Sequence, residues 1–443
     1  MSRVVVIGAG VMGLAAAYRA ALNGHDVTLV EAAADPGGMA GHFNLDGVSI
    51  ERFYHFVCKT DQPTFDLLDE LGMKDAIRWV PTSMGFFNNN KLYSWGDPIS
   101  LLSLPTLGWL DKLRYGLFAF VCVRRNQWPA LEHDSAKDWI IRWCGTSIYE
   151  RFWKPLFDFK FYEYADNVSA AWIWTRIRRI GRSRKSMLQE ELGYIEGGSI
   201  TLVNALVRAA EAHGARIFLA EPATRVTAEA GHVTGVQTNS RHIPCDAVIS
   251  TAPTPYVSAL VPDLPQVWKD RYDSIHNIGV ICVIFKLQKS VSPHFWVNIS
   301  QPELEIPGII EFSNLRKTGD HSIVYVPYYM PVTQEKFSWP DERLLAEGFA
   351  CLQRINPKLV ETDIIATKVA RLRYGQPVCE PDFAAKIPPL QTPIAGLQIA
   401  DTCFYYPEDR GVAESLRLGS AMAIQLGIPS AASTSPLTRA ALV

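Results

Sequence analysis

Six residues near the start of the chain constrain it most: Gly8-Ala9-Gly10-Val11-Met12-Gly13, placed between a β-branched run and a helical pattern. Residues 4–7 read VVVI and suit a strand buried on both faces. Residues 11–23 carry Met12, Ala15, Ala16, Arg19 and Leu22 at helical spacing, and Gly24 stands where a C-cap glycine belongs. Residues 26–31 form a second strand, so the opening is a compact βαβ unit. Gly8 permits the tight turn, Gly10 lets backbone approach a pyrophosphate, and Gly13 lets helix and strand pack closely. At the helix start, Val11 and Met12 add free N–H groups and a positive dipole end for phosphates. Glu31 lies 23 residues after Gly8, at the end of the second strand, where a carboxylate accepts hydrogen bonds from a ribose diol. Strand, helix and acid in register predict dinucleotide binding rather than a glycine-rich turn beside a solvated glutamate.

The rest of the chain narrows the class. Hydrophobic residues make up 48% of 443, which excludes general disorder and leaves room for two or three lobes. The 43 basic and 45 acidic residues leave no basic excess, so no nucleic-acid partner is expected. The eight cysteines are at least 22 positions apart and form no C-x-x-C pair. They read as reduced core residues, so no metal site is expected and the compartment is expected to be cytoplasmic. Glycines interrupt residues 4–17 as a signal peptide. The apolar run 115–123 is too short to span a bilayer.

Further glycine signals follow the first. Asp35-Pro36-Gly37-Gly38 comes four residues after Glu31 and brings the chain close to the same dinucleotide. Gly197-Gly198-Ser199 precedes a helical pattern at 202–213, a strand at 215–219, and a meander over 226–246 that ends in a strand at 247–251. Near the end, GLQIADT (396–402) leads through Pro407 and DRGV (409–412) into a helix that continues through Ala423.

Taken together, VVVIGAGVMGLAAAYRAALNGHDVTLVEAAADPGG and GHFNLDGVSIERFYHF resemble the FAD-dependent superfamily of flavin amine oxidases, protoporphyrinogen oxidases and phytoene-type desaturases. More remotely, the chain is similar to UDP-galactopyranose mutase. The resemblance implies an α/β fold: a Rossmann-like FAD-binding domain, glutathione-reductase-like and of amine oxidase type, interleaved with an α+β substrate domain. The expected FAD-binding segments are 1–75, 190–260 and 390–430, and the expected substrate-binding segments are 76–189 and 261–389. Residues 79–184 read as mostly helical, and 431–443 as a flexible tail. By the same resemblance, Val226 gives a backbone contact to the adenine. Asp401 meets the ribityl and phosphate region, and the helix start at Gly411 and Val412 faces the flavin C2 carbonyl. Where the family often has Arg, this chain has Met39 after the glycine pair, so a positive contact to the pyrophosphate is missing or comes from elsewhere.

Chemistry at a flavin needs a substrate hydrogen over the ring, a proton acceptor and exclusion of water. Tyr54 and His55 lie where relatives pass the flavin ring, and His55 is the candidate acceptor. Phe404, Tyr405 and Tyr406 are candidates to wall the site but do not match the amine-oxidase aromatic cage. Tyr374 and Cys379 lie in a segment that borders the flavin in relatives, which puts Cys379 forward for covalent attachment. Residues 176–185 hold six basic residues beside Trp172 and Trp174. The stretch 172–185 is thus a solvated helix face, a peripheral membrane contact, or a site for an anionic substrate group.

No second dinucleotide loop follows a strand, so the expected electron acceptor is oxygen, a quinone or a protein. The expected activity is FAD-dependent dehydrogenation or desaturation of a hydrophobic small molecule, isoprenoid- or tetrapyrrole-like, by hydride transfer to flavin. The alternatives are amine oxidation, a mutase-like isomerisation, and a non-catalytic scaffold.

Overall fold

The computed structural model describes residues 2–426; the tail expected over 431–443 lies outside them. Five parallel strands form the first sheet, in the order Leu397–Ile399, Ala247–Ser250, Arg3–Ile7, Asp26–Val30, Arg216–Phe218. The central strand VVVI is buried on both faces, and its alternation decides what covers each face. Val4 and Val6 pack with helices Val11–Leu22, Ser199–Ala212 and Val412–Ile424. Val5 and Ile7 pack beneath a three-stranded meander of Ala223–Glu229, His232–Thr238 and His242–Pro244. Helices on one side and a meander on the other give the expected Rossmann-like α/β layer.

The helices Val11–Leu22 and Val412–Ile424 cross so closely that a Cβ on Gly419 would lie 2.1 Å from the Met12 carbonyl oxygen. That crossing brings both N-terminal ends to one side of the sheet, beyond the carboxyl ends of its strands, where ligands sit in open α/β folds.

A second sheet has seven strands, in the order Ile364–Pro377, Asn277–Leu287, Ser322–Met330, Gly308–Glu311, Trp296–Ile299, Met84–Asn88, Lys91–Trp95. Its pairs are antiparallel except Trp296–Ile299 with Met84–Asn88. Helix Asp341–Ile355 covers one face through Phe349 and Leu352, which pack with Phe285. On the other side, Ile278, Val280 and Tyr329 join a helical core built from Trp109–Arg124, Ala136–Cys144, Lys154–Phe161 and Ala170–Arg182.

The stretch 79–184 is mostly helical, as expected, but it opens on strands that were not expected. Strands Ile77–Thr82, Met84–Asn88 and Lys91–Trp95 precede the helices. A short run such as MGFFN carries no periodicity that separates strand from buried helix, and its parallel partner, Trp296–Ile299, is far away along the chain.

Candidate active site

The two early glycine motifs are stitched together. Gly37 donates its N–H to the Ala9 carbonyl at 2.7 Å, and Gly10 and Gly37 form an isolated parallel bridge. Gly37 adopts φ +112°, which L side chains rarely reach, and this turn swings Gly38 to within close approach of the Gly10 Cα. Gly13 instead serves packing, since a Cβ there would lie 1.9 Å from the Gly8 carbonyl oxygen. Around Gly10, by contrast, a Cβ would meet nothing within 4 Å. The space beside Gly10 belongs to a cavity of about 860 Å³ that runs from this loop to the seven-stranded sheet.

Gly8, Gly10, Val11, Met12, Glu31, Gly37, Gly38 and Met39 line one part of that cavity, and Asp401, Gly411 and Val412 line another. Gly13 does not line it; Gly13 sets the helix against the loop. The Glu31 carboxylate accepts from Ala9 N at 2.6 Å and from Ala33 N at 2.8 Å, which fixes it at the mouth of the loop with lone pairs to spare. Asp401 accepts from Thr254 N at 2.7 Å and Cys403 N at 2.8 Å, so its carboxylate locks two loops beside the C-terminal helix. Gly10 and Gly411 are N-caps with no side-chain hydrogen bond, so each helix keeps its first N–H groups for a ligand. A glycine cradle, two bare helix ends and a fixed carboxylate fit a dinucleotide.

Val226 does not line the cavity. It lies buried in the meander core with Val5 and Ile7, away from the cavity, which Pro222, Ala223 and Thr224 line instead. Met39 lines the cavity without a charge; the basic wall residues are Lys160, Arg176, Arg179 and Arg410. Gly198 also faces elsewhere, towards a buried cluster in which Arg316 meets Glu51 at 3.1 Å.

Tyr54 and His55 both line the cavity. The Tyr54 hydroxyl lies 3.1 Å from that of Tyr329, and burial raises its pKa. Burial pushes the His55 imidazole down to about 4, and His55 Nδ1 is buried without a hydrogen-bond partner. Tyr374 and Tyr405 line the cavity, whereas Phe404, Tyr406 and Cys379 do not. Tyr406 turns away to Glu132 and Ser169, and burial drives the Cys379 thiol well above its usual range.

The basic run is partly engaged inside the protein. Trp172 and Trp174 are buried, Arg176 pairs with Asp409 at 2.7 Å and Arg179 with Asp61 at 2.7 Å. Arg182 donates to the Val123 carbonyl and Arg184 to that of Gly96. Four of the run's arginines thus anchor loops, Arg176 and Arg179 also line the cavity, and Arg178 Nε is buried without a hydrogen-bond partner.

Three wall residues were not anticipated. Lys160 is 5% exposed, with Nζ at 4.7 Å from the centre of the Tyr329 ring and 5.2 Å from that of Trp172. Among the described residues no carboxylate forms an ion pair with it. Burial pushes it well below the ordinary lysine value, and Arg176 adds to the effect. Tyr329 comes from the seven-stranded sheet, and Arg410 lies over the same ring at 5.5 Å. The one sequence signal for Lys160 was its position between Phe159 and Phe161.

Residues 12–401 match the family described as flavin containing amine oxidoreductase. Among curated proteins, the chain is 34% identical over 103 residues to the mitochondrial protoporphyrinogen oxidase of Nicotiana tabacum, which is 23% of this chain and 20% of that protein. It is 26% identical over 206 residues to the coproporphyrinogen III oxidase of Propionibacterium freudenreichii, 42% of this chain and 37% of that one. The chain therefore matches well under half the length of these relatives. Among solved structures, an oxidoreductase from Methanosarcina mazei superposes with a TM-score of 0.72 over 96% of this chain and 100% of its own, at 18% identity. That likeness shows the fold.

Proposed function

The chain belongs to the family of flavin containing amine oxidoreductases, and from that premise we propose that it is an FAD-dependent oxidoreductase that dehydrogenates or desaturates a hydrophobic small molecule. Isoprenoid- and tetrapyrrole-like compounds are the proposed substrate class, and oxygen, a quinone or a protein the proposed acceptor. The observation that carries this reading is one continuous cavity, which joins a dinucleotide cradle to an apolar, aromatic wall. The similarity to two porphyrinogen oxidases supports the substrate class.

Gly10, Gly37, Gly38 and Glu31 would hold the dinucleotide, with Gly411 and Val412 at the other helix end. Bound FAD supplies a two-electron acceptor for a hydride. The chain's own residues supply the rest. Val280, Leu372 and Trp296 exclude water and take a greasy ring or chain. Lys160, whose pKa burial and the nearby Arg176 lower, takes the proton that leaves the substrate, and the uncharged His55 assists as a hydrogen-bond partner. The eight unpaired cysteines support a cytoplasmic setting, and among the described residues no helix is long and apolar enough to cross a membrane.

Amine oxidation is the second reading, favoured by the family match itself. Anaerobic mixing of the FAD-loaded protein with a porphyrinogen, a carotenoid precursor and a primary amine tests both. Bleaching by either of the first two supports the proposal. Bleaching by the amine alone overturns it in favour of amine oxidation, and substrate conversion without net loss of hydrogen would favour isomerisation.

A further inference from the structure

An apolar surface lies away from the cavity, on residues 98–125. Helix Trp109–Arg124 buries Phe118 and Cys122 against the helical core, as one face of an amphipathic helix should. Its opposite face is also apolar. Trp109 is 70% exposed and Leu110 73%, and Leu113, Leu117 and Phe120 are exposed with them. The preceding helix, Pro98–Ser103, adds exposed Ile99 and Leu102. The Lys112 ammonium donates to the Leu102 carbonyl at 2.6 Å and so holds the two helices side by side. Arg184 donates to both Gly96 and Met187 carbonyls, bringing exposed Met187 and Leu188 to the same edge. A contiguous set of large apolar side chains facing water marks an interaction surface.

Charge selects the occupant. Residues 98–125 contain four basic residues, Lys112, Arg114, Arg124 and Arg125, and one acid, Asp111. The basic groups sit beside the exposed aromatics: Lys112 lies over Trp109 at 5.4 Å and Arg124 over Phe120 at 4.7 Å. Cationic heads beside tryptophan and leucine place charge at headgroup depth and apolar carbon in the acyl boundary. We propose that this two-helix surface docks the protein onto an anionic lipid bilayer without crossing it. The surface differs from the basic helix at 172–185, where Arg176 and Arg179 pair with Asp409 and Asp61, and the proposal stands independently of the substrate.

The test is flotation of the FAD-loaded protein with vesicles of phosphatidylcholine alone, and of equimolar phosphatidylcholine and phosphatidylglycerol. The comparison variant carries L110S, L113S and L117S, which are remote from the cavity lining and leave the flavin spectrum as a folding control. Wild type is expected to float with the anionic vesicles and more weakly with the neutral ones. The triple variant should lose about tenfold in partitioning per leucine. Absence of wild-type flotation with both vesicle types overturns the proposal. So does a vesicle-free dimer that light scattering shows the triple variant to dissolve, because the face would then be covered by a second copy.

Discussion

Lys160 places its Nζ 4.7 Å from the ring centre of Tyr329, whose hydroxyl in turn lies 3.1 Å from that of Tyr54. Among the described residues no carboxylate forms an ion pair with this amine, and burial lowers its pKa well below the ordinary lysine value, the direction a general base needs. Lys160→Met keeps the volume and removes the base. Flavin reduction by substrate is expected to slow by ~10²–10⁴-fold, the range for loss of a general base, with FAD retained. Stopped-flow absorbance checks this, and rescue by added primary amines would separate a proton-transfer role from packing.

His55 carries a pH consequence with a definite sign. Its folded value, about 4, lies below the ordinary 6.5. The uncharged ring thus contributes stability that is present above 6.5 and lost as pH falls through 4. His55→Gln removes the titration. The difference in melting temperature between pH 7 and pH 4 should be smaller in the variant than in wild type, as measured by thermal denaturation across that window.

Gly10 and Gly13 should fail in opposite ways. A Cβ on Gly13 would lie 1.9 Å from the Gly8 carbonyl, so Gly13→Ala is expected to cost ~1–3 kcal/mol of stability. A Cβ on Gly10 meets no protein atom within 4 Å and instead enters the cavity. Gly10→Ala should melt like wild type without cofactor and yet retain little flavin. Denaturation of the cofactor-free proteins together with flavin titration distinguishes the two.

Most of the cradle was legible because its physics is local. A strand, a glycine turn and a helix start are contiguous, so Gly8 to Gly13 and Glu31 announce themselves by spacing. The α/β layer was legible for the same reason. Lys160 and Tyr329 meet only because a helix at Lys154–Phe161 packs on a strand at Ser322–Met330, a non-local contact with no periodic signal. Val226 sits in the core rather than on the cavity because the strand register, rather than a motif, decides which residues of that stretch face it. The basic run at 172–185 was open to several readings because charge composition says nothing about partners, and Asp61 and Asp409 lie more than a hundred positions away.

The most direct test of the central claim is the visible absorbance of the purified protein, before and after dithionite and then air. Two flavin bands that bleach on reduction and return on oxidation are expected. A colourless protein that also fails to take up added FAD would contradict the reading of the cavity as a flavin site.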